Sequence, residues 1–195
     1  MLKDEKVVFR RRKQTQKRST RETKIRVTLD LDGSGKSDVR MSPRSKFLRH
    51  MIESLAKFAR FDLAVRSSGD FQHHEEEDVA ITLGRTLREA LADRPVKRVG
   101  HAMVAMDDAV VTVVVDLVDR PYVEVSLPDE MLVHFLRSFG TEARITMHNI
   151  VHRGRNSHHI QEATFKALGL ALRDATRPAE ALLSTKSKVR WGGRG

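Results

Sequence analysis

The 195-residue chain contains no cysteine, which excludes disulfide bonds and thiolate metal ligands alike. Aromatic residues make up only 5% of it, too few stacking platforms for a surface built to bind bases. No apolar run approaches the roughly 20 residues that a membrane-spanning helix needs. The first residues are basic and polar with no apolar stretch behind them, unlike a secretory signal. With 39% hydrophobic and 32% charged residues, the expectation is a soluble globular protein of the cytoplasm.

The net charge of +10 is unevenly spread. Residues 1–24 hold ten Lys/Arg against three acids, which accounts for +7 of it. A basic arm on a near-neutral body points to a solvated segment or an oligomer contact more than to a nucleic-acid interface.

Histidine is what the chain does have, and twice in one arrangement. His73-His74-Glu75-Glu76-Glu77 and His158-His159-Ile160-Gln161-Glu162 both read His-His-x-x-Glu, 85 residues apart. The match continues without gaps: Leu83-Gly84 falls on Leu168-Gly169, Leu87-Arg88 on Leu172-Arg173, and Ala90 on Ala175. Self-similarity at a fixed offset marks a duplicated structural unit.

Periodicity gives both units one order. Ile25, Val27, Leu29 and Leu31 alternate with polar residues as in a half-buried strand, and Asp32-Gly33-Ser34-Gly35 is a turn into a second strand over 37–41. Phe47, Met51, Leu55 and Phe58 recur at helical spacing over 45–60; a strand over 61–66, a loop over 67–70 and a helix over 74–91 follow. In the second unit, strands over 98–106, 110–117 and 121–127 precede a helix over 129–140, a strand over 143–151 and the second motif helix, which Pro178 closes. The valine-rich strand 110–117 is expected to be central. The division is a disordered basic arm over 1–18, repeat units over 19–94 and 95–178, and a basic tail over 179–195. The fold class is α+β, each half a mixed sheet with helices packed on one face.

On a helix, residues i and i+3 or i+4 share a face while neighbours diverge by about 100°. His73 or His74 can therefore converge with Glu77 on one ion, but the two histidines cannot readily serve the same one. Two such helices call for two metal ions, each drawing on more than one element. Imidazole and carboxylate donors suit Mn, Fe, Co, Ni or Zn. A single His-His pair is more often a solvated turn; two in register, each with Glu at the same offset, are not. Of the remaining histidines, His50 and His148 lie on elements leading towards the motifs. His101, His134 and His152 read as structural or surface residues.

These residues resemble the imidazoleglycerol-phosphate dehydratase family of histidine biosynthesis. The likeness runs from about Arg18 to Lys186. It includes Arg18-Ser19-Thr20-Arg21-Glu22-Thr23, Asp32-Gly33-x-Gly35-Lys36-Ser37, the Phe-Leu-x-His-Met run around His50, both His-His-x-x-Glu motifs, Arg155-Asn156 and Ser184-Thr185-Lys186. The resemblance implies an α+β fold of the ribosomal protein S5 domain 2 type. It implies metal ligation by His50, His73, His74, Glu77, His148, His158, His159 and Glu162, with two Mn2+ per active site. Proton transfer falls to Glu22 and Glu162, and phosphate binding to Arg98, Arg120, Lys166, Ser184 and Lys186. The substrate would be a small phosphorylated imidazole, and the assembly a homo-oligomer of trimers forming a 24-mer with sites at subunit contacts. Arg49 stands before His50 where the family has an acid or amide. Two further readings compete: a metal-dependent hydrolase of a phosphorylated small molecule, and a non-catalytic, metal-stabilised assembly protein with a nucleic-acid-binding arm.

Overall fold

The computed structural model describes residues 11–92, 94–181 and 183. It contains two four-stranded mixed sheets of identical topology. The first, in order β1-β2-β4-β3, is built from β1 (Lys13–Ser19), β2 (Thr23–Asp30), β3 (Ser37–Arg40) and β4 (Asp62–Gly69). The second, in order β5-β6-β8-β7, is built from β5 (Val99–Met106), β6 (Ala109–Asp116), β7 (Tyr122–Glu124) and β8 (Thr146–Arg153). In both, the first three strands of that order pair antiparallel and the last pair is parallel. The parallel strands are joined by a crossover helix, as parallel neighbours require: α1 (Lys46–Ala59) and α3 (Glu130–Ala143). The motif helices α2 (Gln72–Leu91) and α4 (Ser157–Ala175) follow the third-paired strand of each half. The valine-rich strand β6 is interior, and its Ala109, Val111, Val113 and Val115 are buried.

The helices form the middle of the molecule. α2 packs on the first sheet and against α3 of the other half; α4 packs on the second sheet and against α1. Close approach at these two crossings explains the repeated Leu-Gly pairs. A Cβ on Gly84 would come within 2.3 Å of the Phe139 carbonyl oxygen, and one on Gly169 within 2.6 Å of that of Leu55. Glycine is there because backbone meets backbone, and the crossings bring α3 to the first motif and α1 to the second.

Several boundaries differ from the sequence reading; β7 is only Tyr122–Glu124 where a strand over 121–127 is expected, and β8 spans Thr146–Arg153 rather than 143–151. Residues 13–18, assigned to a disordered arm, form the edge strand β1, paired with β2 from Lys13–Asp30 to Ser19–Lys24. β1 is largely exposed on both faces, so its backbone pairing leaves no apolar alternation to read. Residues 1–10 of that arm lie outside the described residues. β4 runs to Gly69, through the expected loop. α3 runs to Ala143, and Arg144 caps it in the left-handed conformation (φ 55°) as Arg60 (φ 59°) caps α1. Neither end carries the glycine that usually announces such a cap.

Candidate metal centre

The α1–α4 crossing gathers the first cluster. His50 from the second turn of α1 meets His158 and Glu162 from the first turns of α4, with one ligand atom of each lying within 4.8 Å of the others. Glu162 Oε2 is 3.0 Å from His158 Nε2 and 3.5 Å from His50 Nε2, and its Oε1 is 2.8 Å from Lys166 Nζ. Burial disfavours the Glu162 charge, but Lys166 and His50 outweigh it and hold the carboxyl below its ordinary pKa. Arg49 turns away to Glu53, 3.8 Å off, and leaves His50 to Glu162. Asn156 caps α4 by accepting from the His158 N–H, which fixes where the motif begins.

The α2–α3 crossing gathers the second cluster: His73 and Glu77 from α2, and His134 from α3. His134 Nε2 lies 3.2 Å from Glu77 Oε1, and the rings of His73 and His134 stack at 5.2 Å. That nitrogen is shielded from solvent and, despite its closeness to the carboxylate, is out of line for a hydrogen bond. Thus His134, set aside on sequence grounds, joins the cluster. His148, nominated instead, does not. Met147 and Ile145 point inward to the helices, so strand alternation sends His148 to the opposite face of β8, where its ring lies 5.5 Å from that of Tyr122. The missed signal was the duplication itself: α1 gives a histidine to α4, so α3 should give one to α2, and His134 is the sole histidine of α3.

The second histidine of each pair is turned elsewhere, as helical divergence requires. His74 Nδ1 is 2.9 Å from Asp70 Oδ1 and 3.9 Å from Glu22 Oε2. His159 Nδ1 is 2.6 Å from Asp108 Oδ1, and its Nε2 is 3.2 Å from Asp107 Oδ2. The hydrogen bond to Asp70 raises the His74 pKa and lowers that of Asp70. Hydrogen bonds from His159, then from the Arg155 and Asn156 N–H groups, hold Asp108 at about 2. Glu22 and Asp107 occupy the β1–β2 and β5–β6 turns at the motif offset of 85, each facing a second histidine. Asp78 secures the first turn, accepting from Arg18 Nε at 2.7 Å and from the Thr23 hydroxyl. That explains why the first motif ends in Glu-Asp and is preceded by the Arg18–Thr23 run.

The expected phosphate contacts are dispersed. Arg98 pairs with Asp116 at 2.7 Å, Arg120 is exposed, and Lys166 is engaged by Glu162. Ser184 and Lys186 lie outside the described residues.

Two imidazoles and a carboxylate in each cluster, with a shielded ring nitrogen in the second that makes no hydrogen bond, fit a borderline divalent cation. A family model described as imidazoleglycerol-phosphate dehydratase matches residues 44–172. An imidazoleglycerol-phosphate dehydratase of Methanothermobacter thermautotrophicus is 45% identical over 193 residues, covering 91% of this chain and 98% of that protein. One of Geobacillus kaustophilus is 46% identical over 173 residues, covering 82% and 88%. The crystal structure of IGPD from Pyrococcus furiosus matches with a TM-score of 0.77 at 36% identity, covering 87% of this chain and 98% of that one.

Proposed function

The chain belongs to the imidazoleglycerol-phosphate dehydratase family and is a hydro-lyase of histidine biosynthesis, and we propose that its two histidine–carboxylate clusters each hold one divalent metal ion, Mn2+, of the catalytic centre. Family membership removes the hydrolase and the non-catalytic assembly readings. The single observation that supports the dimetal reading is that one chain builds the same trio twice, through two helix crossings related by the duplication.

The ligands would be His50, His158 and Glu162 for one ion and His73, Glu77 and His134 for the other. His134 replaces His148 in the set read from sequence. His74 and His159 stand in neither trio of their own chain. In a homo-oligomer they would complete trios on neighbouring chains, giving each ion four protein ligands; the trimer-based 24-mer of the resemblance is one such assembly. No described helix is long and apolar enough to cross a membrane, which is compatible with a cytoplasmic enzyme.

The reaction removes water from the glycerol side chain: the hydroxyl leaves the carbon attached to the ring, a proton leaves the adjacent carbon, and the enol becomes a ketone. Divalent ions held by these two trios would supply Lewis-acid polarisation of the substrate. Glu22 is more than half exposed beside His74, at the second-histidine side of the site, and is placed to move a proton. Lys166 keeps Glu162 ionised and so ready either to bind an ion or to accept a proton. Arg98 and Arg120 are the candidates for the phosphate, where guanidinium gives bidentate contact. The test is formation of imidazole acetol phosphate by purified, manganese-loaded protein. Turnover that disappears in His73→Ala and His158→Ala supports the reading; turnover unchanged in both variants overturns it.

A further inference from the structure

We infer that Asp70 and Asp108 are positioning residues, each fixing the second histidine of its motif so that only Nε2 is presented to a metal ion. The inference rests on the proposal that His74 and His159 are ligands, and it adds what sets the orientation of their rings.

An ionised carboxylate can only accept a hydrogen bond. Asp70 Oδ1 at 2.9 Å from His74 Nδ1, and Asp108 Oδ1 at 2.6 Å from His159 Nδ1, therefore put the imidazole proton on Nδ1 and the lone pair on Nε2. In His159 the shorter, hydrogen-bonded contact to Asp108 places the proton, although Nε2 lies 3.2 Å from Asp107 Oδ2. An outer carboxylate of this kind fixes tautomer and ring orientation and strengthens the ring as a ligand. The first histidines lack such a partner: His73 Nδ1 faces the Met131 sulfur at 3.1 Å. Instead their Nε2 atoms point at their own glutamates, His73 at Glu77 and His158 at Glu162. Each pair is thus divided into a histidine held by its metal-site glutamate and a histidine held by an aspartate.

Both aspartates are themselves anchored. Asp108 Oδ2 accepts from the backbone N–H groups of Arg155 at 2.5 Å and Asn156 at 3.2 Å, so the β5–β6 turn is pinned to the start of α4. The Asp70 N–H donates to the Glu22 carbonyl at 3.1 Å, and the Asp70 carbonyl accepts from Arg44 Nη2 at 3.0 Å. The two do not correspond under the duplication. The position 85 after Asp70 is Arg155, and the position 85 before Asp108 is Thr23. Copying of one unit does not account for an aspartate on both second histidines; the shared demand on the ring does.

The experiment counts free Mn2+ by electron paramagnetic resonance during titration of the full-length, metal-stripped protein. Asp70→Asn and Asp108→Asn keep the size and an acceptor for the backbone but remove the charge. His74→Ala and His159→Ala set the effect of losing each ligand. Each aspartate variant is expected to weaken one class of sites by roughly 10–100-fold and spare the other. Adding Asp108→Asn to His159→Ala should cost nothing further, because the aspartate acts through that ring. If His159→Ala and His74→Ala weaken binding while both aspartate variants bind like wild type, the positioning inference falls and the ligand reading stands. If the histidine variants also bind two ions normally, the ligand reading falls first. Melting of the metal-free variants separates a folding defect from a metal defect; should Asp108→Asn fail to fold, Asp70→Asn decides by the same outcomes.

Discussion

His134 Nε2 lies 3.2 Å from Glu77 Oε1, across the crossing of α3 and α2. Neither helix alone suggests the contact; it exists because Gly84 lets the two backbones touch. The same geometry, with Gly169 at the crossing, gives His50 to Glu162 at 3.5 Å. The candidate metal centre and the helix packing are thus one design, made twice.

Replacing His134 by Ala should abolish tight binding at one of two Mn2+ sites per chain, an effect exceeding the roughly 10–100-fold of an outer-shell partner. Metal titration of His134→Ala beside His148→Ala checks this. His148→Ala is expected to retain both sites, because His148 faces away from the helices.

Gly84→Ala and Gly169→Ala should each destabilise the metal-free protein by about 1–3 kcal/mol, the usual cost of overpacking a core contact. The added methyl meets a carbonyl oxygen rather than a yielding side chain. Denaturant melts measure the loss, and weaker metal binding should accompany it.

Acid should destabilise the metal-free chain in a defined window. The Arg12 hydrogen bond lowers the Asp32 pKa, and backbone N–H groups of Ser34 and Lys36 lower that of Asp62. Lowered carboxylates stabilise fully above their unfolded value of about 3.9 and lose that contribution as pH falls through the folded value. His74 has the opposite sign: its pKa is raised, so its contribution is full below about 6.5 and is lost as pH rises through the folded value. Melting temperatures should fall steeply below about pH 4 and drift down slightly from pH 6 to 8. Asp62→Asn should flatten the acid limb.

Chelation should lower the mass of the particle in solution, because His74 and His159 are proposed to join chains through metal. Light scattering before and after metal removal reads this directly. The same small monomer in both states would contradict it.

Much of the fold was legible because the apolar positions of β2, α1 and the motif helices keep a clean period and the valine run of β6 marks an interior strand. β1 was not, since a polar edge strand held by backbone pairing and polar side-chain contacts shows no apolar alternation. The α3 terminus was not, since Arg144 caps without glycine. Of the site, the motif residues were legible from spacing on one helix. His134 was not, because its place depends on a crossing between halves; His148 is not gathered with the motifs, because being next to Met147 in a strand puts it on the other face. The two aspartates lie on different elements in the two halves, so the repeat that exposed the histidines concealed their partners.

Anomalous diffraction from crystals of the manganese-loaded protein tests the central claim most directly. Two peaks per chain are predicted, one among His50, His158 and Glu162 and the other among His73, Glu77 and His134. A single peak, or a second ion bound by His148 with His134 unligated, would contradict the account.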